Sequence, residues 1–296
     1  MNIILAMIPA FLWGTTYSAT QFTLDGWPPL LLGVLRAIPA GVLLLLIKPS
    51  LPTKTSWKPL LLIGAINIGV FFCCIFVMAQ TLPSAISSVG MMGVPVVAMI
   101  IHWIVNGVTP SKLKIVCGLG LLVLAWQLFD PSSIPLNGVG LLAMALAMLC
   151  LIIGSMLTQK IGKNVHWWTI VTWQLIFGGM VLIPIALIHA AIHTDVYVQA
   201  MSTFSWKNMM GIVWISGFNT ALGYGLYVWL IQRMSIVDFT FGGIANPVAG
   251  ISCGIVLLNE SYTAEQFLLM MAMIVTSLLP QVIHARQQVK HTLQPR

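Results

Sequence analysis

A handful of residues in this chain could bind a solute, and all of them stand in runs that are otherwise apolar. Arg36 lies within VLRAIPAGVLLLLI, about 10 Å along a helix that starts near Pro29, at 1.5 Å rise per residue. A guanidinium in hydrocarbon costs at least a few kcal/mol unless it meets water or a partner. It therefore either faces an internal cavity, where a carboxylate or phosphate would satisfy it, or runs its stem out to the headgroups. Asn67 and Asn219 each put an amide into an apolar run, and Gln174 does the same in VTWQLIFGGMVLIPIAL. Such amides need partners, supplied by a neighbouring helix or by a polar solute. Trp13 and Tyr17, in FLWGTTYSATQF, share a helical face with Thr20, and Tyr224 and Tyr227, three apart, share another. Amphipathic rings at such depth line a cavity or pack. Taken together, the set could hold an anionic group at Arg36, hydrogen bonds at the amides and an apolar moiety against the rings. An amino acid meets all three demands, and so do several organic acids.

The elements that must position these residues follow from composition. The 296 residues are 59% hydrophobic and only 6% charged, against about 25% charged in an ordinary soluble domain. That excludes a soluble core. A hydrocarbon slab about 30 Å thick needs about 20 apolar residues per crossing and leaves no water to pair the backbone, so the spans must be helices. Apolar runs between polar or Pro/Gly breaks predict an all-α integral membrane protein with ten spans: 3–20, 29–47, 59–80, 84–105, 113–129, 137–157, 167–190, 207–230, 236–258 and 264–283.

A shift of 152 positions lays Asn67 on Asn219, Gln80 on Gln232, Gly90 on Gly242, Pro95 on Pro247 and Val96 on Val248. A shift of 138 lays Arg36 on Gln174 and Gly41 on Gly179. The charge is thus present in one copy only. With five helices before the repeat point, the second copy must insert upside down, giving two inverted five-helix repeats, residues 1–130 and 131–284, followed by a basic tail, 285–296. Inverted repeats place a transport site near the midplane between the copies. Pro95 and Pro247 remove a helical hydrogen bond in corresponding spans, among Gly90, Gly93, Gly242, Gly243 and Gly250. They read as hinges, as tight packing points, or as both.

Net charge is +7, but the placement of the charges says more than the sum. With the N-terminus inside, 11 of the 13 basic residues fall on the cytoplasmic side, leaving Lys207 outside and Arg36 within a span. Both termini are therefore expected in the cytoplasm. The basic balance then reflects orientation and gives no reason to expect nucleic acid. The first run reads as a retained span, since Trp13 and Tyr17 interrupt it and no small-residue cleavage site follows. Cys73, Cys74, Cys117, Cys150 and Cys253 match no metal spacing and read as packing residues.

No P-loop, GxSxG, HExxH or DxD motif appears, and no His and acid cluster occupies the spans. An ATP-driven pump or a membrane enzyme is not expected, nor are catalytic residues, a metal or a cofactor. Asp238 and Glu260 sit near opposite ends of the ninth run, so neither is placed as a midplane proton carrier.

The inventory resembles the drug/metabolite transporter superfamily, in particular its EamA type. WGTTY at Trp13–Tyr17, WPPLLLGVLR at Trp27–Arg36, and the run from Asn246 through LLNESYTAEQ carry the resemblance, which extends from about Ile3 to Ile283. Where the family's first proline helix usually ends in glutamate, this chain has VNGVTP. The resemblance implies a ten-helix secondary transporter of the bacterial inner membrane that exports small metabolites, often amino acids, without ATP. The expected partners are a small-molecule substrate and membrane lipids. The other reading is a membrane-embedded binding or assembly partner that does not transport, which the short loops disfavour.

Overall fold

The computed structural model describes residues 2–107, 109, 111–128, 137–233, 243 and 245–293. Among them there is no strand. The helices in chain order are α1 (Asn2–Thr23), α2 (Pro29–Ile47), α3 (Trp57–Thr81), α4 (residues 84–106), α5 (Lys112–Leu128), α6 (Gly138–Gly162), α7 (Trp167–Ile192), α8 (Thr194–Ser202), α9 (residues 206–231), α10 (Ala245–Leu258) and α11 (Ala264–Leu293). Four of them, α2, α3, α6 and α7, are long and apolar enough to cross a membrane by length and composition, and Ile115–Leu128, Ala245–Leu258 and Ala264–Pro280 are shorter apolar stretches.

Local chemistry sets several of the ends. Pro29 opens α2, where a missing N–H costs nothing. Asn137 Oδ1 accepts from the Val139 and Gly140 amides at the start of α6. Ser205 and Asn208 cap each other reciprocally at the start of α9.

Three interruptions shape the interior. α3 widens into a π-helical stretch at Gly64–Val70, and α9 does so at Trp214–Leu222, around Asn67 and Asn219 respectively. Such wide turns are rare and tend to occur at functional sites. α4 tightens to a 3-10 turn at Met91–Gly93, and Pro95 follows at once in the first turn of the next helical stretch. Pro247 likewise stands in the first turn of α10. Gly242, Asp238, Asp130 and the junction at residues 130 and 131 lie outside the described residues, as does the beginning of the ninth expected span. Two differences from the sequence expectation are helical. α8 fills a stretch between apolar runs to which no element was assigned, and α11 continues past 283 to Leu293.

Packing pairs α2 with α7, α1 with α10, α5 with α11, and α3 with both α6 and α7. The surface is apolar, and a minority of polar residues is buried within an otherwise apolar core. Leu46, Trp126 and Val256 are 75%, 76% and 76% exposed, whereas Asn67, Gln174, Asn219 and Thr220 are each 0% exposed and Arg36 only 2%. A surface of this kind is stable against lipid, and it makes the buried polar residues the place to seek a site.

Candidate functional site

α2 carries Arg36 to the middle of the bundle, where the π-helical stretch of α9 receives it. Arg36 Nε donates to Thr220 Oγ1 at 2.7 Å, and Thr220 Oγ1 donates in turn to the carbonyl of Ile215, also at 2.7 Å. The widened turn thus has its own carbonyl covered by the hydroxyl that orients the arginine. The guanidinium carbon lies 4.2 Å from the centroid of Phe72 and 5.8 Å from that of Phe76, close enough for attraction by the ring faces. Among the described residues Thr220 is the hydrogen-bond partner of Arg36, and no carboxylate pairs with it. Its terminal nitrogens are therefore left for another acceptor.

An aromatic wall stands beside it. The Trp13 ring lies 5.2 Å from Tyr224 and 5.3 Å from Tyr227, and those two tyrosines are 5.9 Å apart. Phe72 closes on Tyr224 edge-on at 5.5 Å. Polar tips hold the rings in place, since Trp13 Nε1 donates to the Asn219 carbonyl at 3.0 Å, and Tyr227 and Ser155 share a hydrogen bond of 2.6 Å.

Three of these side chains, Arg36, Trp13 and Tyr224, line a cavity of about 190 Å³. Trp13, Tyr17, Arg36 and Tyr224 are on its wall, and so is Pro247. Among the described residues Arg36 is the one charged group there. Asn67, Gln174, Asn219 and Tyr227 are not on the wall. Asn67 Nδ2 instead donates to Gln174 Oε1 at 3.2 Å, a bond between fully buried amides on α3 and α7. Asn219 Nδ2 donates to Thr16 Oγ1 at 2.8 Å and so braces a residue that does line the cavity. Pro95 falls on α4 just beyond the lining residues Met91, Met92 and Val94.

Thr220, Ser88 and Asn246 went unremarked as site residues in the sequence. Threonine and serine in an apolar run carry no hydropathy signal, and only tertiary contact identifies Thr220. Asn246 did carry a signal, because it heads the proline-bearing run that drew the family resemblance; it lines the cavity beside Pro247.

Comparison with known proteins agrees with this architecture. The model of the EamA-like transporter family matches residues 1–128 and 138–279. Protein PecM of Dickeya dadantii is 28% identical over 260 residues, covering 86% of this chain and 83% of that protein. The uncharacterized inner membrane transporter YedA of Escherichia coli K12 is 23% identical over 280 residues, covering 87% and 83%. One solved crystal structure, 14% identical, superposes with a TM-score of 0.67 over 97% of this chain and 98% of that one, a likeness of fold. The chain therefore belongs to the EamA-like transporter family, and is a membrane transporter and not an enzyme.

Proposed function

We propose that this protein is a secondary transporter that carries a small polar metabolite, an amino acid or a close relative of one, across the inner membrane by alternating access. The observation that supports this most is Arg36, among the described residues the one charged group on the wall of a cavity of about 190 Å³. Ligand pockets for drug-sized molecules run to about 300–1,000 Å³, and liquid water takes about 30 Å³ per molecule, so this space suits one small solute. A carboxylate could accept from both terminal nitrogens of Arg36, the bidentate geometry that guanidinium favours. An ammonium group has Ser88, Asn246 and the ring faces of Trp13 and Tyr224 on the same wall.

Alternating access needs two bodies that move about the cavity. The separate matches of the family model to residues 1–128 and 138–279 support a duplicated architecture with its junction near 130. So does the recurrence of π-helical stretches around Asn67 and Asn219, which are related by the 152-residue shift. On this reading Pro95 and Pro247 are the flexing points, Asn67 and Gln174 bond across the two halves, and both termini are cytoplasmic. The bias of 11 of 13 basic residues supports that orientation.

The test is efflux from proteoliposomes loaded with a mixed pool of amino acids and organic acids, followed by mass spectrometry. Selective efflux of one class that disappears in Arg36→Ala is the expected result. Equal efflux from wild type and a folded Arg36→Ala overturns the assignment.

A further inference from the structure

Beyond the cavity, toward one end of the bundle, the first half of α4 packs against α10 along a seam. At its inner end Met91 and Met92 of α4 face the cavity together with Asn246 and Pro247 of α10. One step outward, a Cβ placed on Gly250 would lie 2.1 Å from Ser88 Oγ. One step further, a Cβ on Gly254 would lie 2.7 Å from Ser84 Oγ and 2.3 Å from Glu260 Oε2. The two helices run antiparallel with the glycines of α10 against serine side chains of α4, and the absence of a Cβ is what permits that approach.

The end of α10 then folds back over the seam. Asn259 is left-handed, with φ 54°, and the Glu260 amide returns to the Gly254 carbonyl at 3.1 Å. This brings the Glu260 carboxylate onto the start of α4. Oε1 accepts from the Ser84 amide at 3.0 Å, Oε2 accepts from the Ser84 hydroxyl at 2.8 Å, and Oε2 also accepts from the Tyr262 hydroxyl. Burial, together with the carboxylate beside it, raises the Tyr262 phenol above its ordinary range, so it stays a donor.

We propose that the α4 and α10 seam is the gate on this side of the cavity, and that Glu260 bound to Ser84 is the latch that holds it shut. The proposal rests on the alternating-access reading above. Hydrogen bonds to a charged acceptor are each worth on the order of tenfold in an equilibrium, so two across one seam weight the closed state strongly. The sequence does not repeat this pair in the other half. By the 152-residue shift, Ser84 corresponds to Ile236 and Glu260 to Val108, and neither side chain can hydrogen bond. In the orientation proposed above the latched end is the outer one.

The test uses the full chain with its five cysteines replaced by alanine and Met91→Cys as the reporter on the cavity wall. A membrane-impermeant maleimide is applied to vesicles of each orientation. Glu260→Ala should raise the labelling rate from the Glu260 side by about tenfold or more, and Ser84→Ala by several-fold, with no change from the other side. Ser84→Ala removes only a hydroxyl and keeps the test alive should Glu260→Ala fail to fold. Labelling equal to the parent in the folded variants, or raised equally from both sides, overturns the latch. Efflux that survives Arg36→Ala overturns the underlying transport site whatever the labelling shows, so the two failures are distinguishable.

Discussion

Arg36 Nε and Thr220 Oγ1 stand 2.7 Å apart although 184 residues separate them in the chain. The contact joins α2, before the family model's second match, to α9 within it. Asn67 and Gln174 make a corresponding bond between α3 and α7 at 3.2 Å. In each case a polar residue of one helix meets the π-helical stretch of another, yet one pair carries a charge at the cavity and the other is neutral and sealed.

Arg36→Ala should abolish transport and leave the fold intact, because removing a buried cation relieves a desolvation cost. Losing two charge-assisted hydrogen bonds to a carboxylate, at about 1.5–3 kcal/mol each, predicts a drop of about 100-fold or more in apparent affinity. Arg36→Lys keeps the charge without the planar fork and should fall between. Efflux assays on protein shown to be monodisperse check both.

Thr220→Val keeps the shape and removes the hydroxyl. It takes away the acceptor for Arg36 Nε and the donor to the Ile215 carbonyl, so stability should fall by about 1–3 kcal/mol. Thr220→Ser should restore most of it. Unfolding in mixed micelles by added ionic detergent measures the difference.

Asn67→Ala and Gln174→Ala should be coupled. Buried hydrogen bonds between membrane helices average about 0.6 kcal/mol and reach about 1.7 kcal/mol in double-mutant cycles, so a coupling in that range is expected. Half-saturation of transport should move little in either variant, since neither residue is on the cavity wall. A zero coupling energy would mean that the pair does not hold the halves together.

Trp13→Phe and Trp13→Ala separate the two jobs of that side chain. Phe keeps a ring near Tyr224 but loses the bond to the Asn219 carbonyl, at a cost of about 1 kcal/mol. Ala also removes the wall, at about 3–5 kcal/mol. Transport by the folded Phe variant should exceed that by the Ala variant, as read by initial efflux rates.

Membrane residence and helical class were legible because nearly every run of the chain is apolar, a property of composition. Arg36 was legible for the same reason inverted, as the one basic residue inside an apolar run. The π-helical stretches were not, since widening a turn at Gly64–Val70, which lies against α7, changes no residue's hydropathy. The amides show the limit most clearly. The sequence left open whether Asn67 and Asn219 meet a helix or a solute, and the fold brings Asn67 to Gln174 and Asn219 to Thr16, both protein partners. Sequence could not decide this because a helix face is known only once its neighbours are placed. α8 was missed because Thr194–Ser202, with 9 residues, is too short to register as a span.

Arg36, among the described residues the one charged group on the cavity wall, also has an electrical consequence. A cargo with one negative charge cancels it, so the loaded cavity is neutral and the empty one is positive. A zwitterion leaves the cavity at the same charge whether full or empty. Moving one elementary charge through the whole membrane field is worth about 2.3 kcal/mol per 100 mV. Arg36 therefore shifts the voltage dependence onto the return of the empty carrier when the cargo is a monoanion, and leaves it equal in the two steps when the cargo is a zwitterion.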